Sequence, residues 1–199
     1  LSVLRWEDAY KLLIGSVVPR PIGWVSTVSA AGIRNIAPFS FFNGFGARPV
    51  ILGFSPMSTD EIPQKDTLAN VRAVGEFVIN IATEETLVQM DTTGRVYPPE
   101  IDEFEVAGLT PVPSRLVKPP RILESPINFE CEVFRLVPLG EGEGSATLVL
   151  GRAVYVHVHD RVMRDGKIDP ALLRPVGRMG GPFYARPEIL PYRRSDRAE

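Results

Sequence analysis

The chain has 199 residues, with 22 Lys+Arg against 24 Asp+Glu, a formal net charge of −2 and 44% hydrophobic residues. That balance excludes a pervasive basic surface for nucleic acid and gives too much apolar content for a disordered chain. Seventeen Gly and 19 Pro point away from a helix bundle, a single cysteine excludes an internal disulfide framework, and no apolar run is long enough to span a membrane.

Trp6, Ala9, Tyr10, Leu13 and Ile14 recur at helical steps and predict a helix over Ser2 to Gly15. Pro19-Arg20-Pro21 breaks it. Ile22 to Ser29 reads as a strand, with Ala30-Ala31-Gly32 as its turn. Ile36 to Phe42 is a second extended stretch, which Pro38 is expected to interrupt, and Pro49 to Phe54 is a third. Lys65 to Val74 reads as a helix that Asp66 or Thr67 can cap, with Leu68, Val71 and Val74 as its apolar stripe. Glu76 to Ile81 is a strand, and Thr83 caps a helix carrying Leu87 and Met90.

Thr92 to Pro126 is polar and proline-rich, with at most a helical turn at Ile101 to Val106. Ile127 to Leu139 alternates as a strand, Gly140 to Gly144 is a hairpin loop, and Thr147 to His159 returns with a bulge expected at Gly151. About six locally connected strands predict an antiparallel barrel with helical additions. We expect one domain over residues 1–199, with a polar tail at 185–199. A leader of the charged-then-apolar kind is not visible at Leu1, and the expected location is cytoplasmic.

No phosphate loop, dinucleotide fingerprint or nucleophile elbow occurs in the sequence. His157 and His159 are the only histidines; two apart on a strand they share one face, read as solvated or as an interface rather than as a metal site. Cys131 falls on the apolar face of its strand and is read as a buried, inert thiol. Four clusters remain. Arg20 is held rigidly between two prolines. Asn35 through Phe42 mixes an amide, the Ser40 hydroxyl and the aromatic residues Phe39, Phe41 and Phe42. Lys65, Asp66 and Thr67 stand at a helix start, where a cation, a hydroxyl and backbone N–H groups suit a phosphate. Arg178 and Tyr184 occupy a glycine-flanked loop. Together they describe a site for a flat, phosphorylated, aromatic ligand.

These segments resemble the flavin reductase-like family: Pro19 through Thr27, Gly32, Asn35 through Phe42, Lys65-Asp66-Thr67 with Asn70, Glu76 through Asn80, and Arg178-Met179-Gly180-Gly181 with Tyr184. The match runs in order over roughly residues 10 to 185. The resemblance implies a mainly β fold, an FMN-binding split β-barrel, antiparallel and Greek-key-like with a few short helices, and a homodimer. It implies FMN as cofactor, NAD(P)H as co-substrate, and a monooxygenase component or electron-transfer protein as partner. Carried over by position, Ser26 and Thr27 line the flavin. Asn35, Pro38, Phe39, Ser40 and Phe41 meet its ring edge. Lys65, Asp66 and Thr67 take the phosphate, with Arg20 in reach, and Arg178 and Tyr184 close the site. No side-chain acid or base is implied, because hydride passes from NAD(P)H to the flavin itself. An electron carrier without pyridine-nucleotide activity is the alternative. Some flavoredoxin-like members place a histidine before the strand that starts here at Thr147; this chain has Ser145-Ala146 instead, which leaves the electron partner and the substrate open.

Overall fold

The computed structural model describes residues 4–59 and 64–191. In chain order the elements are α1 (Trp6–Ser16), β1 (Arg20–Pro21), β2 (Gly23–Val28), β3 (Arg34–Phe39), β4 (Phe42–Ala47), β5 (Val50–Phe54), α2 (Asp66–Val74), β6 (Glu76–Ile81), α3 (Leu87–Thr92) and α4 (Glu103–Ala107). The second half adds β7 (Pro111–Val112), β8 (Arg121–Ile122), β9 (Ile127–Leu139), β10 (Ala146–Val158), β11 (Met163–Arg164), β12 (Lys167–Ile168), α5 (Pro170–Leu173), β13 (Gly177–Arg178) and β14 (Tyr184–Ala185).

Seven strands form one sheet in the order β3-β2-β6-β9-β10-β5-β4, and every pairing is antiparallel. Its two edge strands, β3 and β4, are joined only by Ser40 and Phe41. A flat sheet of this size would hold its edges about 29 Å apart, and so short a connection reaches about 11 Å. The sheet therefore curls until its edges meet at the Ser40–Phe41 corner, which makes it a split barrel.

Alternation along β2 separates two cores. Val25 faces the barrel interior with Phe39, Phe54, Phe77, Ile79, Cys131 and Val149, while α2 lends Leu68 and Val71. Ile22 and Trp24 face outward onto Ile36, Met90, Phe104 and Ile122. The Trp24 indole N–H donates to Thr93 Oγ1 at 2.8 Å, which ties the end of α3 to the barrel wall.

The long β9–β10 pair carries register shifts at Leu150/Gly151 and at Ala153/Tyr155. The glycine at the first has a steric reason: a Cβ on Gly151 would stand 2.3 Å from Phe77 Cζ. Gly151→Ala should cost about 1–3 kcal/mol through overpacking and lower Tm by several degrees in calorimetry; an unchanged Tm would contradict this packing.

Several expectations need correction. The first helix begins at Trp6 and ends at Ser16, and the expected start at Ser2 lies outside the described residues. The stretch Ile36 to Phe42 is not one strand: β3 stops at Phe39, and Phe42 opens β4, whose Gly44 and Gly46 conceal it from pattern reading. Pro38 does not interrupt the ladder. It sits opposite Trp24 on an edge strand, where a missing N–H is tolerated. The α2 N-cap is Lys65, without a side-chain cap bond, and Asp66 and Thr67 are its first helical residues.

The segment 92–126 holds α4 and the β7–β8 hairpin. Pro19-Arg20-Pro21, read as a breaker, supplies β1, which pairs with β13 and through it with β14. Ala185, the first residue of the expected tail, belongs to β14, and residues 192–199 lie outside the described residues. Among the described residues no helix is long and apolar enough to cross a membrane.

Candidate functional site

The corner where the sheet edges meet is surrounded by three recesses that share Pro38. One is lined by Asn35, Phe39, Lys65, Asp66, Thr67 and Arg95, with Glu103 in its wall. The second holds Tyr10, Ser40, Asp91, Arg95, Arg178 and Tyr184. The third runs along Trp6, Tyr10, Phe39, Phe41 and Lys65. Shared residues join them into one crevice.

At its first end the start of α2 faces the recess. Lys65 is half-buried, and its ammonium makes no hydrogen bond or ion pair among the described residues. Leu68 N and Ala69 N donate back to the Lys65 carbonyl. The N–H groups of Asp66 and Thr67, the helix's first two residues, have no intrahelical acceptor and lie at its positive end. Thr67 Oγ1 accepts from Asn35 Nδ2 at 3.0 Å, which fixes the hydroxyl and leaves its proton to donate. Asn35 is thus a positioning residue that locks α2 to β3.

The wall comes from the corner itself. Phe39 turns into the barrel against Phe54, with ring centroids 4.9 Å apart. Phe41 lies against Tyr10 at 6.4 Å. At the far end the Arg178 guanidinium stacks over the Tyr184 ring at 4.6 Å, and the Tyr184 hydroxyl donates to Asp91 Oδ1 at 2.7 Å.

Three of the expected residues are buried and hydrogen-bonded within the fold. Arg20 is 5% exposed, and its guanidinium donates to the carbonyls of Ile14, Val17 and Met179 and to Ser40 Oγ. It clamps α1, the corner and the Met179 loop together, and those donors are not available to a phosphate. Ser26 and Thr27 are fully buried and do not line the crevice. Ser26 Oγ donates to the Pro120 carbonyl at 2.6 Å, and Thr27 Oγ1 accepts from Asn70 Nδ2 at 3.1 Å. They pin the 92–126 segment and α2 to β2.

Sequence reasoning missed Tyr10, Arg95 and Glu103. Tyr10 reads as part of a helix stripe. Arg95 lines both polar recesses and has no acidic partner among the described residues. Glu103 accepts from the Ile36 N–H, and burial, reinforced by Asp66 and Asp102 against the pull of that N–H and Lys65, raises its pKa to about 7. An acidic residue in a helix's first turn ordinarily marks the dipole, so the only signal is its place in the expected turn.

The Glu103 shift has a definite sign. Between about pH 4.5 and about pH 7 the folded chain holds a proton that the unfolded chain releases, so this residue makes stability fall as pH rises through that window. Glu103→Gln should flatten that part of the Tm-against-pH curve; parallel curves for the two proteins would refute it.

His157 and His159 line one recess together with Tyr155. His157 Nε2 meets the buried Glu130 carboxylate at 2.6 Å, and His159, past the end of β10, accepts the Arg161 N–H on Nδ1. Cys131 is fully buried, and burial pushes its thiol pKa up.

A cationic helix start, an aromatic wall and an arginine–tyrosine rim thus surround one crevice of a split barrel. A profile of the Flavin reductase like domain matches residues 14–174, and the chain belongs to that family. An uncharacterized protein of Aquifex aeolicus is 44% identical over 181 residues, 90% of either chain. The nitrilotriacetate monooxygenase component B from Bacillus cereus superposes with a TM-score of 0.89 at 34% identity, over 95% of this chain and 94% of that one. The 2-nitrobenzoate 2-nitroreductase NbaA of Pseudomonas fluorescens superposes at 0.83 with 28% identity, over 98% of this chain and 97% of that one.

Proposed function

We propose that the chain binds FMN in the corner crevice and is an NAD(P)H-dependent flavin reductase. The observation that carries this reading is Lys65 at the start of α2, whose ammonium has no partner among the described residues, set beside an aromatic corner in a protein of the flavin reductase like family. The donor set fits the group: ammonium, hydroxyl and helix N–H groups suit a phosphate, and Pro38 with the aromatic side chains suits a flat ring. Bound FMN supplies the hydride-accepting chemistry.

The chain's residues then bind and orient. Lys65 and Thr67 hold the phosphate, and Asp66 contributes its N–H. Pro38, Phe39, Ser40 and Phe41 wall the ring, while Arg178 and Tyr184 close the rim. Asn35 acts through Thr67; Ser26, Thr27 and Arg20 hold the frame. No side-chain acid or base is assigned. Titrating the purified protein with FMN, followed by quenching of flavin fluorescence, should give saturable binding at one site per chain; no saturable binding would defeat the proposal.

The same reading takes a homodimer as the working unit, a monooxygenase component or electron-transfer protein as partner, and the cytoplasm as location. The edge strand β4 is exposed along most of its length and carries Phe45, 58% exposed, among backbone groups open to pairing. Sedimentation should show a dimer, and a monomer that binds FMN tightly would contradict this.

A further inference from the structure

A second recess, sharing no lining residue with the crevice, lies where β8 meets the ends of β9 and β10. Arg121, Ser125, Asn128, Tyr155, His157 and His159 line it. Arg121 Nε is buried without a hydrogen-bond partner. Among the described residues only Nη2 of that guanidinium is engaged, on the Pro113 carbonyl at 3.3 Å. The Tyr155 hydroxyl accepts from Arg115 Nη1, which leaves its own proton to give. His159 accepts the Arg161 N–H on Nδ1, so a neutral ring carries its proton on Nε2.

The carboxylates nearby already hold donors of the fold. Glu130 takes the N–H groups of Arg115 and Leu116 and the His157 ring. The Glu124 carboxylate takes the Thr110 N–H. The Arg161 guanidinium is spent on Glu85 and on the Glu124 carbonyl. A guanidinium that has no carboxylate partner among the described residues, with the Tyr155 and His159 donors beside it, suits an anion. The Tyr155 and His157 rings, 4.7 Å apart between centroids, and Leu123, 59% exposed, add an apolar flank.

We infer that this recess binds a small organic carboxylate, with its carboxyl group on Arg121 and its apolar body against Tyr155 and Leu123. The site stands apart from the flavin reading and survives its failure. Its two histidines are the only ones in the chain, so histidine ring signals in NMR report on it alone.

With excess FMN present to occupy the crevice, benzoate should shift the His157 and His159 ring resonances saturably. Acetate, which lacks the apolar body, should bind more weakly, as should inorganic phosphate. Arg121→Gln should weaken benzoate at least about tenfold, the worth of a lost charge-assisted contact. Leu123→Glu alters only an exposed rim residue, keeps the fold, and should weaken benzoate through like-charge repulsion. Absence of a saturable shift, phosphate binding more tightly than benzoate, or benzoate affinity unchanged in both variants would each overturn the inference.

Discussion

Lys65→Ala should weaken FMN by about tenfold to more than a hundredfold while leaving riboflavin nearly untouched. The two ligands differ only by the phosphate, so the comparison isolates that group. A charge-assisted hydrogen bond is worth about 1.5–3 kcal/mol, and each 1.4 kcal/mol is about tenfold in affinity. Lys65 is the N-cap of α2 and spends its ammonium on no other described residue, so its loss removes attraction for the anion without opening the core. Parallel titrations with the two ligands read the effect. Equal losses would move the phosphate elsewhere. Arg95, which lines the same recess, is then the next cation to remove, because the donors of Arg20 are engaged within the fold.

Arg20→Met should destabilise the protein by about 3 kcal/mol or more. The side chain is 5% exposed and supplies three backbone carbonyls that no methionine can serve. A buried polar group left unpaired costs about 1–3 kcal/mol. For a chain of this size the change corresponds to a Tm lowered by about 6–12 °C. Arg20→Lys should recover only part of the loss, since one ammonium cannot reproduce a fork that spans the Ile14, Val17 and Met179 carbonyls. A Tm that moves by less than about 2 °C in the methionine variant would show that water replaces the clamp and that the corner does not depend on it.

Strands and helices whose signal lies in adjacent residues are legible in the sequence. β6 shows β-branched and aromatic residues in a short run, β9 alternates through Phe129, Cys131 and Val133, and α2 repeats Leu68 and Val71 at a helical step. What escapes such reading depends on partners distant in the chain. β4 has glycines at two of its six positions and is a strand because β5 pairs with it. β1 is two residues long and exists only because β13 lies beside it.

The site divides in the same way. Lys65 and Thr67 can be read from their place at a helix start, and the Pro38–Phe41 corner from its composition and its family resemblance. The burial of Ser26 and Thr27 is set by Pro120 and Asn70, far along the chain. Arg20 looks like a ligand-binding arginine because nothing in Pro-Arg-Pro announces the three carbonyls that its guanidinium serves. Glu103 faces inward because α4 packs beside β3, a contact between elements more than sixty residues apart.

The most direct test of the central claim is the oxidation of NADH and of NADPH by the purified protein, followed by loss of reduced-nicotinamide absorbance with and without added FMN. At least one nucleotide should be oxidised in a reaction that requires both protein and FMN and saturates in each. FMN bound at the corner crevice with neither nucleotide oxidised would contradict it, and would assign the chain to electron carriage instead.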